Sequence, residues 1–397
     1  MSKFLFVVPP FFGHISPTLS VGGSLIERGH EVVWVGLTPI PDMHIPEGGR
    51  FIVPPELEEH REAIGRILKR QDDGPYISGA EAYKLGMEET YIPFSRFIRE
   101  GLDRVVDAYQ PDVLVNDCLM FAGTLCAHRR GILNATTTPV PPDLGVDFVK
   151  APKIFAWQRD LILGLQQEFG IHTDAFHIHS DRINLVFTSR VFAGRDDLPA
   201  HLKFVGPVQG RPQPASFDWA RLAETPRPRI FVSLGTLLVD IRRAFFEKLR
   251  AAFADEPLTV VAATDPGIFD AWPDNFIVQG FVPQSRLLQE MDAVICHGGF
   301  NTVNDTFLHG LPMVITPIAY DHFHTASLIE KAGCGIKIRY KRLTAEGLRE
   351  ATWEVLKEDR YRANARRIRE TFIGSGGNAA AVEHLEAFAW SGKVLAE

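Results

Sequence analysis

Cysteine is scarce. The four residues at 118, 126, 296 and 334 include no close pair of the kind that holds zinc or cycles between thiol and disulfide. Several sit in apolar, strand-like runs, so a reducing, cytoplasmic setting suits them. Positive charge is not in excess either: 42 Lys and Arg stand against 49 Asp and Glu, a formal net charge of -7. That balance offers no broad basic face for a nucleic-acid backbone and excludes nucleic acid as an expected partner. No stretch approaches the roughly 20 uninterrupted apolar residues of a spanning helix, which limits membrane contact to the periphery. The apolar start, residues 4–12, is broken by Pro9 and Pro10 and leads to no small-residue cleavage site, so it reads as a buried first strand rather than a signal peptide. Also missing is a Gly-x-Gly-x-x-Gly fingerprint. The first strand-to-helix turn is Gly13-His14-Ile15-Ser16-Pro17, with an imidazole where a pyrophosphate would need bare backbone, which argues against a dinucleotide-dependent oxidoreductase.

What is present is an alternation of strands and helices over a chain long enough for two domains. Residues 3–9 are continuously apolar, 16–28 have helical character and 30–36 are apolar again, a βαβ unit. Ser16 is expected as N-cap, Pro17 as the first helical residue and Gly29 as the stop. The pattern returns at 108–132, with a strand over 112–116 and a helix to Arg130. A second series of strands is expected at 229–234, 258–263, 276–280, 292–296 and 312–317. Such alternation implies parallel sheets covered on both faces. Five prolines in 206–228 mark an exposed linker. The expected division is therefore an N-terminal lobe over 1–208, a linker over 209–228, a C-terminal lobe over 229–375 and a last helix over 376–397. Regions 40–100 and 140–182 follow the rhythm least. The stripe Phe155, Trp157, Leu161, Ile162, Leu165 and Phe169 is read as packing against the N-terminal lobe in preference to ligand contact.

The most informative segment is residues 281–322. A strand runs into His297, Gly298 and Gly299, and a helix follows from Asn301 or Thr302 to Gly310. Glycines at such a turn let backbone approach a ligand, and the helix start offers unpaired N–H groups and a positive dipole end, a diphosphate site. Ser233, Leu234, Gly235 and Thr236 form a second turn at the carboxyl end of a strand, where ligands bind in open α/β sheets.

About 40 consecutive positions of this segment resemble the nucleotide-sugar signature of the UDP-glycosyltransferase superfamily, the GT-B enzymes with two Rossmann-like lobes facing a cleft, and especially its bacterial macrolide-type members. The likeness extends to the N-terminal Gly-His-x-x-Pro, to Val205-Gly206-Pro207 and to the Ser-Leu-Gly-Thr turn. It implies that Phe281 stacks on the base, with Val282 and Gln284 at base and ribose, and that His297, Gly298, Gly299, Asn301 and Thr302 face the diphosphate. Asp305 stands where many relatives carry a ribose-binding glutamate, one methylene longer. Asp321 matches an acidic residue that contacts sugar hydroxyls, and His322 replaces the usual glutamine, leaving UDP-glucose and a dTDP-deoxysugar both open as donors. The last helix is implied to cross back onto the N-terminal lobe.

A lone loop histidine more often caps or packs. The resemblance makes His14 the base that deprotonates the acceptor hydroxyl and Asp117 the carboxylate that orients it, while the positive helix end favours the neutral, proton-accepting imidazole. The implied reaction is a direct displacement that inverts the anomeric centre and passes the sugar to a small, lipophilic hydroxylated acceptor. No Asp-x-Asp triplet occurs, and no metal or cofactor is expected. The expected assembly is a monomer or a homodimer. The alternatives are a GT-B sugar-nucleotide epimerase or hydrolase, and a non-catalytic accessory subunit that binds the nucleotide sugar.

Overall fold

A computed structural model describes residues 1–40, 43–73, 80–141, 152–195, 197–210, 216–235, 241–319 and 321–394. Two compact units emerge among these residues. One comprises Met1–Leu68, Ala80–Arg211 and Gly374–Glu397, and the other Pro212–Ile373 with Lys69–Gly79.

The first unit is built on a seven-stranded sheet of order β3-β2-β1-β4-β5-β6-β7, every neighbouring pair parallel. The strands are β1 (Lys3–Val8), β2 (Glu31–Gly36), β3 (Arg50–Ile52), β4 (Val113–Asp117), β5 (Leu133–Thr138), β6 (Asn184–Val186) and β7 (Leu202–Phe204). Alternation along β1 sends Leu5 and Val7 into one apolar core and Phe4, Phe6 and Val8 into another, as expected when helices cover both faces. The first core is completed by the Ile92–Tyr109 and Phe121–Arg130 helices. It also takes Ile162, Leu165 and Phe169, with Trp157 and Leu161 partly buried against it, so the aromatic stripe packs. The second core receives Ala381, Val382, Leu385 and Phe388 from the Gly377–Val394 helix. Glu386 of that helix accepts from Arg28 Nη1 at 2.8 Å and from His30 Nε2 at 3.0 Å.

The first helix differs from the sequence expectation. It spans Phe12–Glu27 with Phe11 as N-cap, so Ser16 is not the cap, Pro17 lies inside the helix and His14 sits in its first turn. The Phe11 carbonyl accepts from both the His14 and Ile15 amides, at 2.9 and 3.0 Å, which starts the helix a turn early. Pro17, with no N–H, leaves the Gly13 carbonyl without its i+4 donor in the helix. Trp34 Nε1 donates to Thr18 Oγ1 at 3.1 Å and tethers the helix to β2. Gly22 permits that approach, since a Cβ there would come within 2.2 Å of the Trp34 ring.

The second unit carries a six-stranded parallel sheet of order β10-β9-β8-β11-β12-β13. Its strands are β8 (Arg229–Ser233), β9 (Thr259–Ala263), β10 (Phe276–Gln279), β11 (Ala293–Cys296), β12 (Met313–Ile315) and β13 (Gly335–Lys337). The stretch read as an exposed linker holds a short helix, Trp219–Glu224, capped by the Asp218 carboxylate and burying Leu222 to 1% exposure. Prolines dominate its composition, but Phe217, Trp219 and Leu222 supply an apolar anchor. The strands β3, β6, β7 and β13, three residues each, were not distinguished in the sequence. All four cysteines are free and buried.

Candidate functional site

In the first unit, His14 comes from the first turn of the Phe12–Glu27 helix that follows β1, and Asp117 from the carboxyl end of β4, the strand that pairs directly with β1. His14 Nδ1 lies 2.8 Å from Asp117 Oδ2. A carboxylate only accepts, so Nδ1 carries the proton and the Nε2 lone pair is left to take another. The Asp117 side chain is 0% exposed and that of His14 13%, so the carboxylate is sealed while the imidazole keeps an edge to solvent. The Leu119 amide donates to the other carboxylate oxygen, Oδ1, at 2.9 Å. Phe11 packs edge-on against His14, centroid to centroid 5.9 Å. An imidazole held through Nδ1 by a sealed carboxylate, whose other oxygen is pinned by a backbone amide, is an arrangement able to accept a proton at Nε2.

Cys118 adds a thiol to this corner. His14, Asp117 and Cys118 each offer one potential metal-ligand atom, all within 4.8 Å of one another. Burial, and then the neighbouring Asp117 charge, push the Cys118 thiol well above its ordinary range, so it stays protonated and is a poor ligand. The Nδ1 to Oδ2 bond already satisfies the other two atoms.

In the second unit, the turn after β11 brings together much of what the sequence singled out. Gly298 has φ 95° and Gly299 is the N-cap of the Phe300–Leu308 helix, which begins one residue before the expected start. Asn301 and Thr302 lie in its first turn, half-buried. The glycines clear space around His297. A Cβ on Gly235 would stand 2.8 Å from its ring, and one on Gly299 only 2.5 Å. Gly235, at φ 73°, belongs to the turn after β8, where its amide donates to Ser233 Oγ at 3.2 Å. His322 meets His297 edge to face at a centroid separation of 4.4 Å. Its Nδ1 accepts from the Ala319 amide at 3.1 Å, which places its proton on Nε2. Burial lowers His297 to about 4, and burial followed by His297 holds His322 well below the usual range. Two neutral imidazoles thus line a turn whose backbone N–H groups suit an anion.

The remaining residues singled out in the sequence sit elsewhere in the second unit. Gln284 Nε2 donates to Asp305 Oδ2 at 2.7 Å, so the two polar residues expected near the nucleoside are in contact. Phe281 is 53% exposed, an open aromatic face, whereas the Val282 side chain is buried. Asp321 occupies the N-cap position of the His322–Lys331 helix without a side-chain capping bond. Thr236 lies outside the described residues.

Two residues at these sites escaped the sequence reading. Arg242, at the start of the Arg242–Phe253 helix, donates from Nη2 to the Gly235 carbonyl at 2.8 Å, and its charge helps to keep His297 neutral. Its place six residues beyond the Ser-Leu-Gly-Thr turn was the available signal. His179 donates to the Cys118 carbonyl behind Asp117 at 2.9 Å, and nothing in its spacing announces this.

Residues 251–388 match the family described as the C-terminal domain of erythromycin biosynthesis protein CIII-like proteins. The demethyllactenocin mycarosyltransferase of Streptomyces fradiae is 29% identical over 410 residues, covering 97% of this chain and 86% of its own length. Among solved structures, the calicheamicin glycosyltransferase CalG4 superposes with a TM-score of 0.78 at 23% identity, covering 98% of each chain. The spinosyn rhamnosyltransferase SpnG complexed with thymidine diphosphate gives a TM-score of 0.71 at 18% identity, covering 97% of this chain and all of its own. No helix among the described residues is long and apolar enough to cross a membrane.

Proposed function

We propose that this chain is a family 1 GT-B glycosyltransferase of natural-product type that moves a sugar from a UDP- or dTDP-sugar to a hydroxyl of a small lipophilic acceptor, with inversion and without a metal, a reading supported by the family match over residues 251–388 and by the likeness to the mycarosyltransferase along the chain. The observation that carries the reading is the 2.8 Å contact between His14 Nδ1 and the sealed carboxylate of Asp117. His14 Nε2 takes the acceptor proton as the hydroxyl oxygen attacks the anomeric carbon, and the bond to the nucleoside diphosphate breaks. Asp117 stabilises the imidazolium that forms. Attack opposite the leaving group inverts the anomeric centre.

The leaving diphosphate gathers charge at the turn formed by His297, Gly298 and Gly299 and at the first turn of the Phe300–Leu308 helix. There, preorganised N–H groups and the helix dipole meet it. Arg242 and the Ser233–Gly235 turn stand beside them. This supply of positive potential is what lets the reaction proceed without a divalent cation. Phe281, Gln284 and Asp305 hold the nucleoside in this reading, and Asp321 and His322 the sugar. The thymidine diphosphate bound by the rhamnosyltransferase neighbour supports a nucleoside diphosphate sugar as donor.

A matrix of UDP- and dTDP-sugars against phenolic, polyketide and terpenoid acceptors, read by mass spectrometry, tests the proposal. Acceptor-dependent glycoside formation supports it. Sugar release without acceptor makes the chain a hydrolase, and turnover only with an added protein makes it an accessory subunit.

A further inference from the structure

The Asp117–Met120 turn holds a hydrogen-bond relay that the mechanism above does not use. The Cys118 carbonyl and the Leu119 amide belong to one planar peptide unit. At one end, the Leu119 N–H donates to Asp117 Oδ1 at 2.9 Å. At the other, the Cys118 oxygen accepts from His179 Nε2 at 2.9 Å. A carbonyl cannot donate, so Nε2 carries the proton of this imidazole.

His179 is itself firmly seated. The adjacent Ser180 donates from its amide to Thr136 Oγ1 at 2.9 Å and from its hydroxyl to the Asn134 carbonyl at 2.6 Å, tying the loop to β5. Cys118 is held from its own amide, which donates to the Thr137 carbonyl at 3.0 Å. The Cys118–Leu119 peptide is therefore gripped at its oxygen by a side chain from a distant loop and at its nitrogen by the orienting carboxylate.

The geometry points to His179 as a positioning residue. By fixing the plane of the Cys118–Leu119 peptide, it keeps the Leu119 N–H on Asp117 Oδ1 and so holds Oδ2 on His14 Nδ1. Without it, the peptide is free to rotate about its flanking bonds, the Oδ1 anchor loosens and the carboxylate loses its fixed aim. His179 acts as a neutral donor: burial lowers its proton affinity, opposed by its bond to Cys118 and by Asp117, with His201 reinforcing the neutral form. This inference rests on the reading of His14 and Asp117 as base and orienting carboxylate.

The test compares His179→Phe, which fills the ring's volume without a donor, with His179→Gln, which retains an N–H of similar reach. Losses at residues that orient an active group are roughly 10- to 100-fold. For His179→Phe, kcat should fall by that amount, with KM for donor and acceptor within about twofold, and the acid limb of the kcat/KM profile should move to lower pH as His14 loses part of its carboxylate support. His179→Gln should restore most of the rate and the limb. A His179→Phe protein with the parent's thermal midpoint, rate and pH limb overturns the inference, as does a folded His179→Gln no better than His179→Phe. Should His179→Phe not fold, His179→Ala carries the same comparison. Added to His14→Ala, the His179 changes should have no further effect. Unimpaired turnover by His14→Ala alone would instead remove the base assignment on which the inference rests.

Discussion

His14 Nδ1 and Asp117 Oδ2, 103 residues apart in sequence, lie 2.8 Å apart because β1 and β4 are parallel neighbours in the first sheet. Asp117 ends β4 and His14 lies in the first turn of the helix that follows β1, both at the carboxyl edge of the sheet, where open α/β sheets place ligands. The contact fixes the imidazole tautomer and leaves Nε2 as the proton acceptor.

Asp117→Asn keeps the shape and removes the charge. An amide can present either an oxygen or an N–H to Nδ1, so the tautomer is no longer dictated and the imidazolium is unsupported. Turnover should fall by at least about 100-fold, with affinity for UDP or dTDP within twofold by calorimetry. A full rate under saturating substrates would remove Asp117 from the mechanism.

Gly299→Ala places a methyl where a Cβ would meet His297 Nε2 at 2.5 Å, and the ring is also crowded by Gly235, where a Cβ would stand 2.8 Å away. His297 must shift and the turn must open. Affinity for the nucleoside diphosphate should drop on the order of tenfold or more, the size of one well-placed charge-assisted hydrogen bond. Affinity for the bare nucleoside should change little, because Phe281 and the Gln284–Asp305 pair lie elsewhere in the site. Equal loss for both ligands would show that the turn does not serve the phosphates.

The buried imidazoles of the second unit set a pH dependence of stability. His297 titrates near 4 in the fold against 6.5 when unfolded, so between these values the unfolded chain binds the extra proton and stability rises with pH. The contribution is fully present above about 6.5 and is lost as pH falls toward 4. It amounts to roughly 3 kcal/mol by the usual conversion of pKa difference to free energy. His322 acts in the same direction. Urea unfolding between pH 7 and 4 should show the slope, and His297→Asn should flatten it. An unchanged slope in that variant would place the pH dependence elsewhere.

Much of this was legible in the chain itself. Continuous apolar runs such as residues 293–296 mark strands buried on both faces, and the glycines after β11 mark a tight turn at a strand end. The three-residue strands β6 and β13 are not legible, because so short a run carries no period of its own and is defined by its pairing, β6 with β5 and β7, β13 with β12. The start of the first helix was misplaced because Ser16 and Pro17 resemble a start signal, whereas the Phe11 carbonyl begins the helix earlier. His14 and Asp117 were found through their likeness to a family pattern. Arg242 and His179 were not, since each acts through a backbone carbonyl; for Arg242 only its place just beyond the Ser-Leu-Gly-Thr turn hints at it, and for His179 nothing in its spacing does.

The account stands most directly on His14→Ala, assayed for glycoside formation with the best donor and acceptor pair alongside calorimetric binding of the nucleoside diphosphate. Loss of a general base should lower kcat/KM by about 100- to 10,000-fold. Diphosphate affinity should stay within about twofold of the parent, since His14 belongs to the first unit and the phosphate turn to the second. Turnover equal to that of the parent would contradict the account.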